Sequence, residues 1–184
     1  MAEVKGGATI DDLQRADGKA EIVNGELVLM SPTGFLPGRA GGAIYRSLFA
    51  YEESTGSGYA FPDNVGFLVD LENRKSFCPD AAYYVGRPSG GRFLQGAPLF
   101  AAEVRSEEDY GPAAEKRLAQ KRADYFVAGA RVVWDVDVLR DEIVRSYVAE
   151  SPEPRLFRRG ELADAEPALP GWSMRVDDLF ERRR

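Results

Sequence analysis

Residues 99–138 read LFAAEVRSEEDYGPAAEKRLAQKRADYFVAGARVVWDVDV, in which two apolar segments flank a longer charged one. The segments at 99–105 and 131–138 are predominantly apolar, as buried strands are. Between them, residues 113–129 repeat apolar side chains with the spacing of an amphipathic helix. Strand, helix and strand in this order favour a parallel pair joined by a crossover helix. The stretch therefore predicts an α/β fold.

The predicted helix carries a lysine on its apolar face. Its inward stripe runs through Ala114, Leu118 and Tyr125. Lys121 falls in the middle of that stripe, whereas Lys116 projects from the opposite, solvated side. An isolated ammonium that faces a core costs too much free energy to remain unpaired. The pattern predicts that Lys121 meets a carboxylate or takes part in chemistry.

Two acids are candidates for that partner. Glu103 lies inside the strand at 99–105, and Asp80 follows Pro79 at the head of the apolar segment 81–85. Because side chains alternate between the two faces of a strand, a residue of the crossover helix can reach Glu103. Two strand carboxylates and a helix lysine suit a Mg²⁺ or Mn²⁺ ion, which binds one or two carboxylates and several waters. The lysine would polarise an attacking water or stabilise charge in a phosphoryl-transfer transition state.

The composition excludes several classes of site. The chain has no histidine and one cysteine, Cys78. Histidine-dependent nucleophile systems and histidine-based zinc or haem sites are therefore excluded. The Gly-rich fingerprints of P-loop and dinucleotide-binding proteins are also absent from the sequence. The remaining chemistry runs on carboxylates, lysines, tyrosines or a hard cation.

Length and charge indicate the broad class of protein. The 184 residues fit one domain, which we expect to span residues 1–184. The net charge of −6 argues against broad electrostatic attraction to nucleic acid or to an anionic membrane, although a local basic patch would remain compatible with it. The N-terminal stretch MAEVKGGATI has no apolar core resembling a signal peptide, and no apolar run approaches ~18 residues. We expect a cytoplasmic protein without membrane association.

A hairpin and a second helix precede this region. Asn24-Gly25 is the dipeptide best suited to a two-residue hairpin turn, and it joins strand-like segments at 21–23 and 26–30. The other predicted elements are a helix at 39–53, strands at 65–71, 81–85 and 142–148, and irregular segments at 31–38, 86–96 and 151–170.

Several blocks of the sequence resemble a known family. The PD-(D/E)xK nuclease superfamily has its site residues in the order Pro-Asp, strand glutamate, lysine, which in this chain corresponds to Pro79-Asp80, Glu103 and Lys121. The blocks that resemble the Uma2 family of restriction-endonuclease-like proteins are NGELVLMSP at 24–32, EVRS at 103–106, DYG at 109–111, KRADYFVAG at 121–129, VVWDVD at 132–137 and LPGW at 169–172. The resemblance thus covers nearly the whole chain.

The resemblance implies a three-layer α/β/α restriction-endonuclease-like fold with a mixed central sheet. It implies a metal-dependent endonuclease that hydrolyses phosphodiester bonds of nucleic acid, with DNA as the expected substrate. Asp80 and Glu103 would hold Mg²⁺ (or Mn²⁺), and Lys121 would complete the catalytic site. Glu26 matches the acid after the hairpin turn in Uma2-like proteins and is a further catalytic candidate. In the wider superfamily the lysine follows the strand acid by two residues, where this chain has Arg105, so its role would pass to Lys121.

Each candidate also has a purely structural interpretation. Asp80 would cap a turn, and Glu103 would form an ion pair with Arg105 or Lys121. Lys121 would only neutralise that acid, and Glu26 would be an exposed hairpin residue.

Two other functions remain as alternatives. A catalytically inactive nucleic-acid or protein-binding module that retains the nuclease fold is suggested by the acidic net charge and the missing lysine at position 105. A self-associating structural protein would need a large exposed apolar patch. For an active nuclease that cuts both strands, a two-fold homodimer is the expected assembly.

Overall fold

A six-stranded mixed sheet forms the centre of the computed structural model, which describes residues 7–180. In chain order the elements are α1 (Ile10–Gln14), β1 (Ala20–Val23), β2 (Glu26–Leu29), α2 (Phe35–Thr55), β3 (Tyr59–Phe61), β4 (Phe67–Leu68), β5 (Ser76–Phe77), β6 (Ala81–Tyr84), β7 (Leu94–Gln95), β8 (Phe100–Val104), α3 (Pro112–Val127), β9 (Val132–Asp137), β10 (Ile143–Val148), β11 (Arg155–Arg158), β12 (Leu162–Asp164), β13 (Ser173–Arg175) and a 3-10 turn at Val176–Leu179.

The central sheet has the order β11-β10-β9-β8-β6-β3. Strands β8 and β9 run parallel and are joined by α3, whereas the other neighbours run antiparallel. The predicted strand, crossover helix and strand at 99–138 are therefore confirmed, as is the mixed character of the sheet.

Alternation along β8 separates two apolar faces of the sheet. Phe100 packs in a core with Ile44 of α2, while Ala101 packs in a second core with Tyr125 of α3. The two helices thus cover opposite faces, which confirms the three-layer α/β/α arrangement. Glu103 has the same parity as Ala101 and therefore points toward α3.

The hairpin formed by β1 and β2 docks beside the sheet. Asn24 and Gly25 adopt φ values of 51° and 77°, which is the left-handed conformation that a tight hairpin turn requires. Backbone hydrogen bonds tie β1 to the segment before β5, since Ile22 O accepts from Lys75 N at 3.0 Å. This docking buries Glu21, which is 4% exposed.

Several short elements differ from the prediction. Only β4 forms within the strand predicted at 65–71. Strands β3 and β5 were not predicted. The segments predicted as irregular contain β7, β11 and β12. Helix α2 begins at Phe35, four residues before the predicted start, with Pro37 in its first turn, where proline is tolerated. These strands have two to four residues, and their pairing depends on distant neighbours rather than on local periodicity.

Within residues 7–180, none of the helices combines the length and apolar character needed to cross a bilayer. Residues 1–6 of the N-terminal stretch, considered above for a signal sequence, lie outside the described residues.

Candidate active site

Glu103 is held by two side chains of helix α3. Its Oε2 accepts a hydrogen bond from Lys121 Nζ at 2.8 Å, and its Oε1 accepts one from the Tyr125 hydroxyl at 2.7 Å. Lys121 and Tyr125 are four residues apart, so they lie on the same face of the helix. The predicted inward direction of Lys121 is confirmed, since its side chain is only 13% exposed.

Asp80 lies beside the end of β8. Strand β6 starts at the next residue and pairs antiparallel with β8, so the Asp80 carboxylate reaches the β8 backbone. Its Oδ2 accepts from Val104 N at 2.6 Å, and its own N–H donates to Ala102 O at 3.0 Å. Asp80 and Glu103 are thus brought together, and their electrostatic repulsion contributes to the raised pKa of Glu103.

Lys19 is a site residue that the sequence did not reveal. Its Nζ lies 2.6 Å from Asp80 Oδ1 and 2.7 Å from Asp63 Oδ1. Lys19 precedes β1 without any periodic pattern around it, and it is 61 residues away from Asp80 along the chain. Only the docking of the hairpin brings this ammonium to the site.

Glu21, rather than Glu26, is the hairpin acid in the cluster. Glu21 Oε1 accepts from Lys121 Nζ and from Cys78 N, both at 2.8 Å, and Oε2 accepts from Arg74 Nη1 at 2.5 Å. Glu26 is exposed at the start of β2 and makes no ion pair or side-chain hydrogen bond to any of residues 7–180. The local pattern does not identify Glu21, because strand alternation places it opposite the apolar Ala20 and Ile22, on the face that usually meets solvent.

The charged residues form one network, which we call the site cluster. Its eight members are Lys19, Glu21, Asp63, Arg74, Asp80, Glu103, Lys121 and Asp124. The three cations face five carboxylates, so the fully ionised cluster carries two negative charges in excess. An excess of this kind attracts further positive charge.

The pKa values follow from burial and pairing. Burial raises the pKa of Glu103, and the nearby carboxylates add to this effect against the opposing influence of Lys121. Burial acts in the same direction on Glu21, but Lys121 and Arg74 outweigh it, so the pKa of Glu21 is lowered.

Lys121 remains protonated at neutral pH. Burial alone would lower its pKa, but the carboxylates of Glu103 and Glu21 raise it above the ordinary lysine value. An ammonium in this state stabilises negative charge and does not act as a general base.

Asp80 and Glu103 fit a hard divalent cation with water as its other ligands. Within residues 7–180 there is no group of three or more histidine, cysteine, aspartate or glutamate side chains arranged to hold a metal. Each carboxylate oxygen of Asp80 and Glu103 accepts one hydrogen bond from the protein and keeps a further acceptor direction. Mg²⁺ binds through one or two carboxylates and retains several waters, which this donor set can satisfy.

Arg105, which lies two residues after Glu103, where the resemblance would place a lysine, belongs to a different ion-pair network. It is buried, and its Nε and Nη2 each lie 2.7 Å from an oxygen of Asp135. Glu115 of α3 also pairs with it. Glu103 therefore pairs with Lys121 and not with Arg105.

Comparisons with known proteins agree with this fold. A family model described as "Uma2: Putative restriction endonuclease" matches residues 8–177, a range that includes the whole site cluster. A protein from Anabaena variabilis ATCC 29413, described as "a putative nuclease belonging to DUF820", has a similar structure with a TM-score of 0.74. It is 15% identical, and the alignment covers 94% of this chain and 97% of that one, so the likeness shows the fold. No curated protein matches the chain.

Proposed function

The chain belongs to the Uma2 family, and from that premise we propose that it is an endonuclease that uses Mg²⁺ or Mn²⁺ to hydrolyse phosphodiester bonds of DNA. The observation that carries the proposal is the position of Glu103, whose carboxylate lies between Lys121 and Tyr125 beside the carboxylate of Asp80. The family description, "Putative restriction endonuclease", and the similar fold of the Anabaena variabilis protein described as "a putative nuclease" support the same reaction class.

Each side chain has a separate part in this proposal. Asp80 and Glu103 would hold the ion, which when bound would supply Lewis-acid stabilisation of the phosphodiester and lower the pKa of a water. Lys121 would stabilise the negative charge that develops on the phosphate oxygens. Tyr125 and the N–H of Val104 orient the two carboxylates through the hydrogen bonds described above.

Glu21 and Arg74 act as positioning residues. Lys121 Nζ lies 2.8 Å from both Glu21 and Glu103, so its ammonium is held between two acids. Arg74 holds Glu21 in turn, and it is bound from the other side by Asp124 of α3 at 2.8 Å. This arrangement fixes Lys121 before substrate binds, as preorganised electrostatic catalysis requires.

Cleavage of both DNA strands would need two copies of the site, so we propose a homodimer related by two-fold symmetry. We also propose a cytoplasmic location, where DNA is accessible and a single cysteine stays reduced.

Supercoiled plasmid incubated with Mn²⁺ tests the proposal. We expect the wild type to nick or linearise it, and Asp80→Asn and Glu103→Gln each to slow cleavage by roughly 10²-fold or more, because each removes a ligand for the ion. Lys121→Met should cause a loss of similar size without removing metal binding. Glu26→Gln is the matched control, since it changes an acid of the same hairpin outside the cluster. Thermal unfolding checks that every variant is folded, and cleavage that survives both carboxylate substitutions would refute the assignment.

The second candidate is a catalytically inactive nucleic-acid or protein-binding module. It is favoured by the net charge of −6 and by the fact that every carboxylate oxygen of Asp80 and Glu103 already accepts a hydrogen bond from the protein. Calorimetric titration with Mn²⁺ separates the two candidates. A nuclease should take up the ion in a manner that Asp80→Asn abolishes, whereas a binding module should show no carboxylate-dependent uptake.

A further inference from the structure

An open pocket of about 430 Å³ lies where β9 ends and β10 begins. Its lining includes Arg140 and Arg145 together with Tyr110 and Tyr147. None of its lining residues belongs to the site cluster. The pocket is therefore a separate feature of the α3 side of the sheet, and the proposed nuclease chemistry does not use it.

Each carboxylate around this pocket pairs with at least one donor of the protein. Asp137 Oδ1 accepts from the Tyr110 hydroxyl at 2.7 Å and from the backbone N–H groups of Leu139 and Arg140 at 3.1 and 3.0 Å. Both oxygens of Glu115 accept from the Arg105 guanidinium. Asp141 pairs with Nη2 of Arg145. The acids in the pocket wall therefore serve protein donors.

The arginines, in contrast, keep unused donors. Arg145 Nη1 is buried and has no hydrogen-bond partner among residues 7–180. Arg140 lies with its guanidinium carbon 3.7 Å from the centre of the Tyr110 ring and forms no ion pair with any described residue. A buried charged donor without a partner is rare in proteins and calls for an acceptor that completes it. Stacking on the Tyr110 ring holds the Arg140 guanidinium in position before a ligand binds.

We infer that this pocket binds a phosphate group. Phosphate offers mainly acceptor oxygens, which complement the unused N–H groups of the exposed Arg140 and, after a shift of the side chain that uncovers it, Nη1 of Arg145. The planar guanidinium fork matches the geometry of phosphate. The same chemistry is offered by a free nucleotide and by the 5′ end of a nucleic acid. Because the pocket shares no residue with the site cluster, its occupancy does not depend on metal binding.

Calorimetric titrations in the presence of EDTA test the inference. The probes are inorganic phosphate, AMP, and one short oligonucleotide with and without a 5′-phosphate. We expect the 5′-phosphorylated oligonucleotide to bind at least about tenfold more tightly than its unphosphorylated form, because charge-assisted hydrogen bonds to phosphate are lost in the latter. Binding of AMP or inorganic phosphate with comparable affinity would identify a free ligand, and preference for the oligonucleotide would identify a nucleic-acid end.

Arginine variants locate the binding to this pocket. Arg140→Gln and Arg145→Gln should each weaken binding by about tenfold or more. Arg131→Gln is the matched control, because Arg131 is exposed and does not line the pocket. Arg140 is also exposed, so we expect Arg140→Gln protein to fold, and it tests the inference even if Arg145→Gln protein does not fold.

The inference is overturned if none of the phosphate-containing probes binds, or if binding is unchanged in folded Arg140→Gln protein. The same titrations on Asp80→Asn protein should give wild-type affinity. This result would separate the pocket from the active site, so failure of one proposal is distinguishable from failure of the other.

Discussion

Lys19 is the cation that would compete with a metal ion at Asp80. Its ammonium lies 2.6 Å from Asp80 Oδ1 and 2.7 Å from Asp63 Oδ1. The Asp63 side chain is 43% exposed and the Asp80 side chain 15% exposed. Asp63 therefore offers Lys19 an alternative and more exposed partner, and the two aspartates share one cation between them.

Substitutions of Lys19 and of Asp63 are expected to change the affinity for metal in opposite directions. Lys19→Met should raise the affinity for Mn²⁺ by roughly tenfold, because a competing positive charge beside Asp80 is removed. Asp63→Asn should lower it, because Lys19 then pairs with Asp80 alone. Calorimetric titration with Mn²⁺ measures both effects.

The surface pair of Lys75 and Asp70 is the control for this prediction. It joins a lysine and an aspartate at 2.6 Å, but the aspartate side chain is 95% exposed. Lys75→Met and Asp70→Asn should leave Mn²⁺ affinity unchanged. A Lys19→Met protein that is folded and binds Mn²⁺ no better than wild type would show that Lys19 does not compete with the ion.

At the scale of elements, helix α2 approaches the candidate active site through a glycine. A Cβ atom added at Gly41 would lie 3.4 Å from the backbone oxygen of Asp80 and 3.6 Å from its Cβ. These distances are ordinary contacts, so a methyl group fits there and a branched side chain does not. Gly41 thus sets how closely α2 packs against the residue that begins β6.

Substitution of Gly41 should affect stability and metal binding according to side-chain size. Gly41→Ala should be neutral or stabilising by up to about 1 kcal/mol, since alanine is the better helix former. Gly41→Val should destabilise by about 1–3 kcal/mol through overpacking and should weaken Mn²⁺ binding by displacing Asp80. Urea unfolding and calorimetry check these outcomes.

Gly42 provides the neighbouring control. It is exposed on the same helix, and a Cβ atom there would meet no other part of residues 7–180 within 4 Å. Gly42→Val should leave both stability and Mn²⁺ affinity nearly unchanged. Equal effects of valine at the two positions would contradict the packing argument.

At the scale of the whole molecule, a buried ion-pair chain joins three separate parts of the protein. Arg74 lies between Glu21 of the hairpin and Asp124 of α3, at 2.5 Å and 2.8 Å, and all three side chains are at most 5% exposed. Burial opposes ionisation of Asp124, but its hydrogen bonds from Arg74, Asn73 and Gln120 lower its pKa. The hairpin, the loop before β5 and the crossover helix therefore depend on the same charges.

Acidification should weaken this connection. Because the pKa of Asp124 is lower in the folded state than in the unfolded chain, its stabilising contribution is complete above the unfolded value of about 3.9 and is lost as the pH falls through the folded value. The free energy of unfolding of Asp124→Asn protein should therefore lie about 1–3 kcal/mol below that of wild type at pH 7. Urea titrations between pH 7 and pH 3 should show this difference shrinking below about pH 4.

Asp70 serves as the exposed counterpart in this experiment. Its hydrogen bond and ion pair with Lys75 lower its pKa as well, but it is fully exposed and solvent screens the pair. Asp70→Asn should hardly change the pH dependence of stability. A constant difference between wild type and Asp124→Asn at all pH values would rule out the proposed linkage.

Local patterns were sufficient for the long elements and for the directions of two site residues. Helical spacing in α3 placed Lys121 on the inward face, and strand alternation in β8 placed Glu103 toward that helix. Both patterns depend only on the geometry of a regular backbone, with periods of 3.6 and 2 residues. Their use as metal ligand and catalytic group stays a prediction.

Tertiary structure alone decided which other charges join them. Alternation in the hairpin does not show which of its acids is buried, and the docking of β1 selected Glu21 while Glu26 stayed in solvent. Lys19 and Arg74 reach their partners across 61 and 53 residues of chain. The sequence by itself determined the α/β class of the fold and the directions in which Glu103 of β8 and Lys121 of α3 point, because these follow from local periodicity. The remaining electrostatics required the folded chain, because Coulomb energy depends on distance in space and not on separation along the sequence.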